Sequence, residues 1–319
     1  MWAQGLDAIM LTIFSTPKPF KGHSNVIQRN ALKSWTLLHP DVEVILFGDD
    51  EGAAEVCKEL GIRHEPEVRR HEKGPKYLNY IFDRAQEIAR HDVLCYVNCD
   101  IILPGNLRTA VEQITPLRRP FLMVGNRWDT DITKPLDFAQ PDWQEQLTAI
   151  VAEGGKRRSE YFIDYFVFTR GLYLRLPALV IGRVGWDNWL IWKARSVGAM
   201  VVNASAVVKA VHQNHDYSYH PAGAKGVWGD DLAKRNYKLA GGWRHIFTVE
   251  NAPYRLEQDG LKRSCRYLIA EFRPLMRVVV GPLWSVWFAI LGVTRPLRRA
   301  LGLRQKRVVE NQSSPRRMN

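Results

Sequence analysis

Val93-Leu94-Cys95-Tyr96-Val97-Asn98-Cys99-Asp100-Ile101-Ile102-Leu103 is the stretch on which the fold turns. Val93–Val97 is apolar on both alternating faces and too short for a buried helix, so it reads as a strand covered on both sides. Such strands belong to parallel sheets packed between helices. Similar short, β-rich runs lie on either side of it: Ala8–Phe14, Val42–Phe47, Phe121–Val124, Tyr161–Phe168 and Met200–Val208. Between them, Ser24–Leu38, Glu51–Leu60, Pro75–Arg90 and Asp187–Arg195 have helical character. Ser24 and Asp50 are candidate N-caps, and Gly61 a candidate helix-ending glycine. The β-α-β-α-β rhythm predicts an α/β domain with a mostly parallel sheet flanked by helices. Residues 210–245, rich in Gly, His, Trp and Tyr, read as irregular.

Ligands of such sheets bind where loops leave the carboxyl ends of the strands. Directly after Val97 come Asn98 and Asp100. If the chain stays extended, the two share a face and offer oxygen ligands to a hard cation that keeps positions open for phosphate. An Asn/Asp turn closing the strand is the competing reading. After the last of these strands, His212, His215 and His220 fall within nine positions. Imidazole suits Mn²⁺-like or softer ions, although the spacing is poor for zinc. One of His212 or His215 completing a site at Asp100 stands against a polar loop of hydrogen-bonded histidines.

Two further acids sit among apolar residues. Asp164 interrupts Tyr161–Phe168, where a carboxylate is costly unless paired or functional. Asp187 follows Trp186 and precedes Asn188 and Trp189. It can cap a helix, or act as a general base in a pocket whose tryptophan faces accept a sugar ring. Asp49 and Asp50 follow the second strand, in position to bind ribose or a base, or simply to turn the chain into a helix. Neither GxGxxG nor GxxxxGK[ST] occurs, and no nucleophile elbow is present.

Charge narrows the classes of partner. The net charge is +12, yet residues 261–319 hold 13 Lys or Arg against two acids, leaving 32 basic and 31 acidic residues in 1–260. A nucleic-acid-binding fold usually carries its basic face on the fold itself, so the reading excludes nucleic acid. A basic tail mixed with apolar residues favours an anionic membrane surface. Cys57, Cys95, Cys99 and Cys265 form no CxxC pair and read as reduced thiols. The first residues lack the pattern of a signal peptide, which makes a cytoplasmic active part the expectation.

Taken in order, LTIFSTPKPFKGHSNVIQRNALKSW (11–35), VILFGDDEG (44–52), YVNCDIIL (96–103), IDYFVFTRGLY (163–173), GWDNWL (185–190) and VHQNHDYSYH (211–220) resemble bacterial GT-A-fold glycosyltransferases of a family 2-like group. The resemblance covers roughly residues 11–250. It implies a nucleotide-sugar donor, a carbohydrate or lipid-linked acceptor and a divalent metal, Mn²⁺ or Mg²⁺, bound by a DxD element. Asn98 stands where that element has its first Asp, so Asp100 is the securer ligand, with His212 or His215 as the C-terminal one. Ser15, Thr16, Pro17 and Asp49 are implied on the donor side, together with Asn98 and Asp100. On the acceptor side the resemblance implies Asp164, Trp186, Asn188 and Trp189, with Asp187 as base. Inversion of the sugar's configuration would follow from one base on the far side of the anomeric carbon.

The sequence divides into an expected domain at 1–261 and a basic, apolar helical tail at 262–319. Within the tail, Val278–Val293 is an apolar run of 16 residues flanked by Arg273, Arg277, Arg295, Arg298 and Arg299. It falls short of the ~20 residues of a spanning helix. It reads as an in-plane or re-entrant segment, or else as a core helix. The corresponding expectation is an enzyme held peripherally or monotopically at the inner face of the plasma membrane, serving surface-polysaccharide or glycolipid assembly. A sugar nucleotidyltransferase would want a glycine-rich loop where Ser15-Thr16-Pro17-Lys18-Pro19 stands. A non-catalytic, membrane-surface carbohydrate-binding protein would leave Asp100, Asp187 and the histidines without a reason.

Overall fold

The computed structural model describes residues 11–216 and 223–270. Ala8–Met10, His220 and the apolar run Val278–Val293 lie outside the described residues. The strands are β1 (Leu11–Ser15), β2 (Glu43–Phe47), β3 (Arg63–Glu65), β4 (Val93–Val97), β5 (Ile101–Ile102), β6 (Phe121–Thr130), β7 (Lys156–Arg157), β8 (Ile163–Thr169), β9 (Met200–Asn203), β10 (Ala210–Gln213), β11 (Tyr254–Glu257) and β12 (Gly260–Arg263). The helices are α1 (Gly22–Thr36), α2 (Ala53–Leu60), α3 (Leu78–Ile88), α4 (Asn106–Ile114), α5 (Trp143–Gly154), α6 (Trp186–Ser196), α7 (Gly223–Gly229) and α8 (Asp231–Leu239).

The main sheet has the order β12-β11-β9-β6-β8-β4-β1-β2-β3. Of these nine strands only β8 and β12 run against their neighbours. The sheet is buried on both faces. One face packs Trp35, Ala53, Val56, Leu107 and Val111 from α1, α2 and α4. The other packs Phe82, Trp189 and Leu190 from α3 and α6. Aromatic edges tie this second layer to the strands, with Phe14 meeting both Phe82 and Tyr96 edge-on at 5.2 and 5.5 Å.

β6 belongs to two sheets. Leu122–Val124 pair with β8 and β9, the register shifts between Val124 and Asn126, and Arg127–Thr130 then pair with β10. A bulge of this kind bends a strand and redirects the side chains beyond it. Gly125 is required at the bend, because a Cβ there would run into the Tyr165 hydroxyl and approach the Ser205 backbone nitrogen at 3.2 Å.

Several local expectations change. α1 starts at Gly22 behind Lys21, with no side-chain cap, so Ser24 lies inside the helix. α2 is preceded by Gly52 in the left-handed region, and Asp50 gives it a backbone carbonyl rather than a side-chain cap. Gly61 ends α2 at φ 64° as expected. The described residues of 210–245 are not irregular: they hold β10, α7 and α8, and Asp230 caps α8 by accepting from the Ala233 amide at 2.7 Å. The compact unit runs through Ala270, and β12 crosses the residue 262 boundary. Among the described residues no helix is long and apolar enough to cross a membrane.

Candidate functional site

The loops that leave the carboxyl ends of β1 and β4 open into a cleft of about 640 Å³. Asn98 and Cys99-Asp100 do not continue the strand. The chain turns there, and Ile101 donates its amide to the Asn98 carbonyl at 3.1 Å. The turn sends the two polar side chains in different directions. Asn98 Nδ2 donates to Asp164 Oδ1 at 2.6 Å. Asp100 instead faces β10, because β5 pairs antiparallel with β10 and sets Ile101 opposite His212.

Asp100 Oδ2 lies 3.1 Å from His215 Nε2 and 4.0 Å from His212 Nε2. One ligand atom from each of the three residues fits within 4.8 Å of the others. Asp100 Oδ1 is buried and has no hydrogen-bond partner among the described residues. A buried, unpartnered carboxylate oxygen beside two imidazoles is a donor set that a divalent cation would satisfy. Burial alone would push the Asp100 carboxyl up, but His215, His212 and Lys18 outweigh it and hold the carboxyl well below the usual range. The Asp100 loop is fixed from behind. Buried Gln213 donates to the carbonyls of Ile27 at 2.7 Å and Asp100 at 3.2 Å, and accepts from Asn30 at 2.9 Å.

Cations gather on the same side. Lys18 Nζ sits 3.4 Å from His215 Nε2. Burial lowers the pKa of the Lys18 ammonium, opposed chiefly by the charge of Asp100. Lys76 is 6% exposed, donates to the Pro17 carbonyl at 2.7 Å and pairs with Asp50. Its pKa is lowered by burial, against the opposing pull of Asp50. Arg127 spans two acids, with Nε 2.7 Å from Asp129 and an Nη 3.0 Å from Asp164.

Asp187 lines another part of the cleft, in the first turn of α6. The helix cap is Gly185 at φ 94°, so the side chain does not serve as the N-cap. It is half-buried and accepts from the Asn188 amide at 2.9 Å. Burial pushes its carboxyl up to about 7, with the nearby charge of Asp164 adding to the rise.

The residues expected from the sequence are therefore not all at the cleft. Thr16, Pro17, Asn98, Asp100, Asp164, Trp186, Asp187, His212 and His215 line it. Ser15 is fully buried and donates to the Val97 carbonyl at 2.5 Å, tying β1 to β4 beneath the floor. Asp49 is exposed and pairs with Arg70 at 2.6 Å, while its neighbour Asp50 lines the cleft. Trp189 turns into the core against Trp192, and Asn188 donates to the Phe247 carbonyl at 2.7 Å. The expected pair of tryptophan walls is thus reduced to Trp186. Trp228, which is 51% exposed, lines the cleft instead, near Arg183 in its 2.8 Å pair with Asp230. Lys18, Lys76, Arg127, Asp129 and Trp228 were not singled out by motif. The alternation Arg127-Trp128-Asp129, a strand pattern running past Val124, was the available signal for two of them.

No protein-family model matches the chain, and no curated protein sequence does. Among solved structures, the chain is similar to glucosyl-3-phosphoglycerate synthase from Mycobacterium tuberculosis in complex with Mg²⁺ and uridine diphosphate, at 12% identity and TM-score 0.43, over 73% of this chain and 80% of that one. It is also similar to a mannosyltransferase from Pyrobaculum calidifontis in complex with GDP-Man and Mn²⁺, at 13% identity and TM-score 0.39, over 64% of this chain and 56% of that one. A mycobacterial protein aligns at 14% identity and TM-score 0.44, over 74% of each chain. At these scores the likeness carries neither the activity nor the ligands of those proteins over to this chain.

Proposed function

We propose that the chain is a GT-A-type glycosyltransferase that moves a sugar from a nucleoside-diphosphate sugar to an acceptor hydroxyl, with Mn²⁺ or Mg²⁺ held by Asp100, His212 and His215. The observation that carries the reading is the unpartnered Asp100 Oδ1 beside two imidazoles in a cleft that also holds Asp187. A bound divalent cation would neutralise the charge that develops on a diphosphate leaving group. Lys18 and Lys76 supply further positive charge on that side.

Asp187 takes the acceptor's hydroxyl proton as the acceptor oxygen bonds to the anomeric carbon. The bond from that carbon to the diphosphate breaks, and its electron pair leaves with the nucleoside diphosphate. A carboxyl poised near 7 suits a base that works at neutral pH. Asp164 is committed to Arg127 and Asn98, so the support is for one working carboxylate on the acceptor side and for inversion. Trp228, exposed at the cleft, offers a ring face to a carbohydrate acceptor, while Trp186 is packed against Tyr96 and Phe166.

The setting we propose is the inner face of the plasma membrane, with a carbohydrate or lipid-linked acceptor in surface-polysaccharide or glycolipid assembly. Its support is the basic and apolar composition of residues 262–319.

The test is incubation with UDP-, GDP- and TDP-sugars and Mn²⁺, following release of nucleotide. Release that needs the metal and disappears in Asp100→Ala supports the reading. Release of pyrophosphate from a nucleoside triphosphate and a sugar phosphate would point to a nucleotidyltransferase. Binding of carbohydrate with no donor turnover and no effect of Asp100→Ala would leave only a binding protein.

A further inference from the structure

Behind the three proposed ligands stands a second row of side chains that the transfer chemistry does not use. Beyond its bulge, β6 runs parallel to β10, with Asp129 in register with His212. Asp129 Oδ1 lies 3.2 Å from His212 Nδ1, while Nε2, across the same ring, faces Asp100. The approach does not meet the angular demands of a hydrogen bond, and His212 Nδ1 is buried with no other acceptor among the described residues. Asp129 is therefore the group within reach of that nitrogen. A neutral imidazole carries one proton, and a carboxylate beside one nitrogen favours the tautomer that keeps the proton there. Asp129 is itself held from two sides, by Arg127 Nε at 2.7 Å and Arg158 Nε at 3.4 Å. The second histidine has an equivalent partner, since His215 Nδ1 sits 2.6 Å from the Asp216 carbonyl oxygen.

We infer that Asp129 is a positioning residue of the proposed metal centre, holding His212 with its proton on Nδ1 so that Nε2 is left as the ligand atom. The inference rests on the metal reading above. It has a charge consequence as well as a geometric one. Without Asp129, the Arg127 and Arg158 guanidiniums would lose a counter-charge close to the ion's position, and cation binding would weaken for that reason too.

The test uses the full chain without added metal. ¹⁵N NMR of labelled histidines at a pH of about 8, where an unperturbed imidazole is neutral, reads the His212 tautomer after assignment by His212→Gln. The expected result is a proton on Nδ1; a proton on Nε2 overturns the inference. Free Mn²⁺ is then titrated by electron paramagnetic resonance into the wild type and Asp129→Asn. The expected loss of affinity in the variant is roughly 10–100-fold. Equal affinity in a variant that melts like the wild type overturns the positioning role and leaves the metal centre standing. A wild type that takes up no Mn²⁺ removes the metal centre, and this inference with it. If Asp129→Asn does not fold, the wild-type tautomer decides.

Discussion

Asp187 shows how one residue's environment sets two measurable behaviours. Its carboxyl is pushed up to about 7 because partial burial at the start of α6 disfavours the charged form. As the proposed base it must be ionised, so the rate of sugar transfer should rise with pH through about 7 and level off above it. Asp187→Asn should lose roughly 10²–10⁴ in kcat and that pH limb with it. Steady-state kinetics across pH would check both. Stability should move the other way. Between about pH 4 and pH 7 the folded form keeps a proton that the unfolded chain has released, so the wild type loses stability as pH rises across that window. Asp187→Asn should flatten this part of the melting-temperature profile, and an unchanged slope would contradict the assignment of the shift to Asp187. Residue identity alone could not separate Asp49 from Asp50, or Trp186 from Trp189. The two acids are adjacent and the two tryptophans three residues apart, and which member lines the cleft depends on Gly52, Gly185 and the partners Arg70, Lys76 and Trp192. Nor could it reveal that Asn98 serves Asp164, because the turn at Cys99-Asp100 breaks the shared face that an extended chain would give.

At the level of elements, β6 is the piece that joins fold to site. Its first half is an ordinary sheet strand, and its second half carries Arg127 and Asp129 alongside β10, with Asp129 opposite His212. Gly125→Ala should therefore act twice. The added methyl must displace the Tyr165 hydroxyl, a destabilisation of about 1–3 kcal/mol. It should also disturb the bulge and weaken Mn²⁺ binding more than an equally destabilising core substitution such as Ile191→Val on α6. Denaturant unfolding and metal titration of the two variants would check this; parallel losses in both would contradict a special role for the bulge. The short apolar strands were legible because burial on both faces leaves an uninterrupted aliphatic run, as in Val93–Val97. β3, β5 and β7 were not, since two or three residues carry no periodicity. α7 and α8 were hidden because Gly, His and Trp in 210–245 read as breakers, whereas the Asp230 cap and the buried Leu232, Ala233 and Asn236 organise α8.

For the whole molecule, the uneven charge is the feature to test. Residues 262–319 carry nearly all of the net positive charge and a 16-residue apolar run, while 11–216 and 223–270 contain the cleft. The full chain should sediment with vesicles containing phosphatidylserine, with binding falling as salt rises. A chain ending at Ala270 should lose that binding and keep metal-dependent release of nucleotide. Retained vesicle binding would place the membrane contact on the compact unit instead.

Asp100, His212 and His215 are proposed to form a metal centre within the cleft. It is tested most directly by crystals grown with MnCl₂ and a nucleoside diphosphate, with an anomalous difference map recorded at the manganese edge. A peak is expected, bounded by an Asp100 carboxylate oxygen and the Nε2 atoms of His212 and His215, in contact with the diphosphate. A nucleoside diphosphate bound in the cleft with no such peak, or a peak elsewhere with these three side chains unmoved, would contradict it.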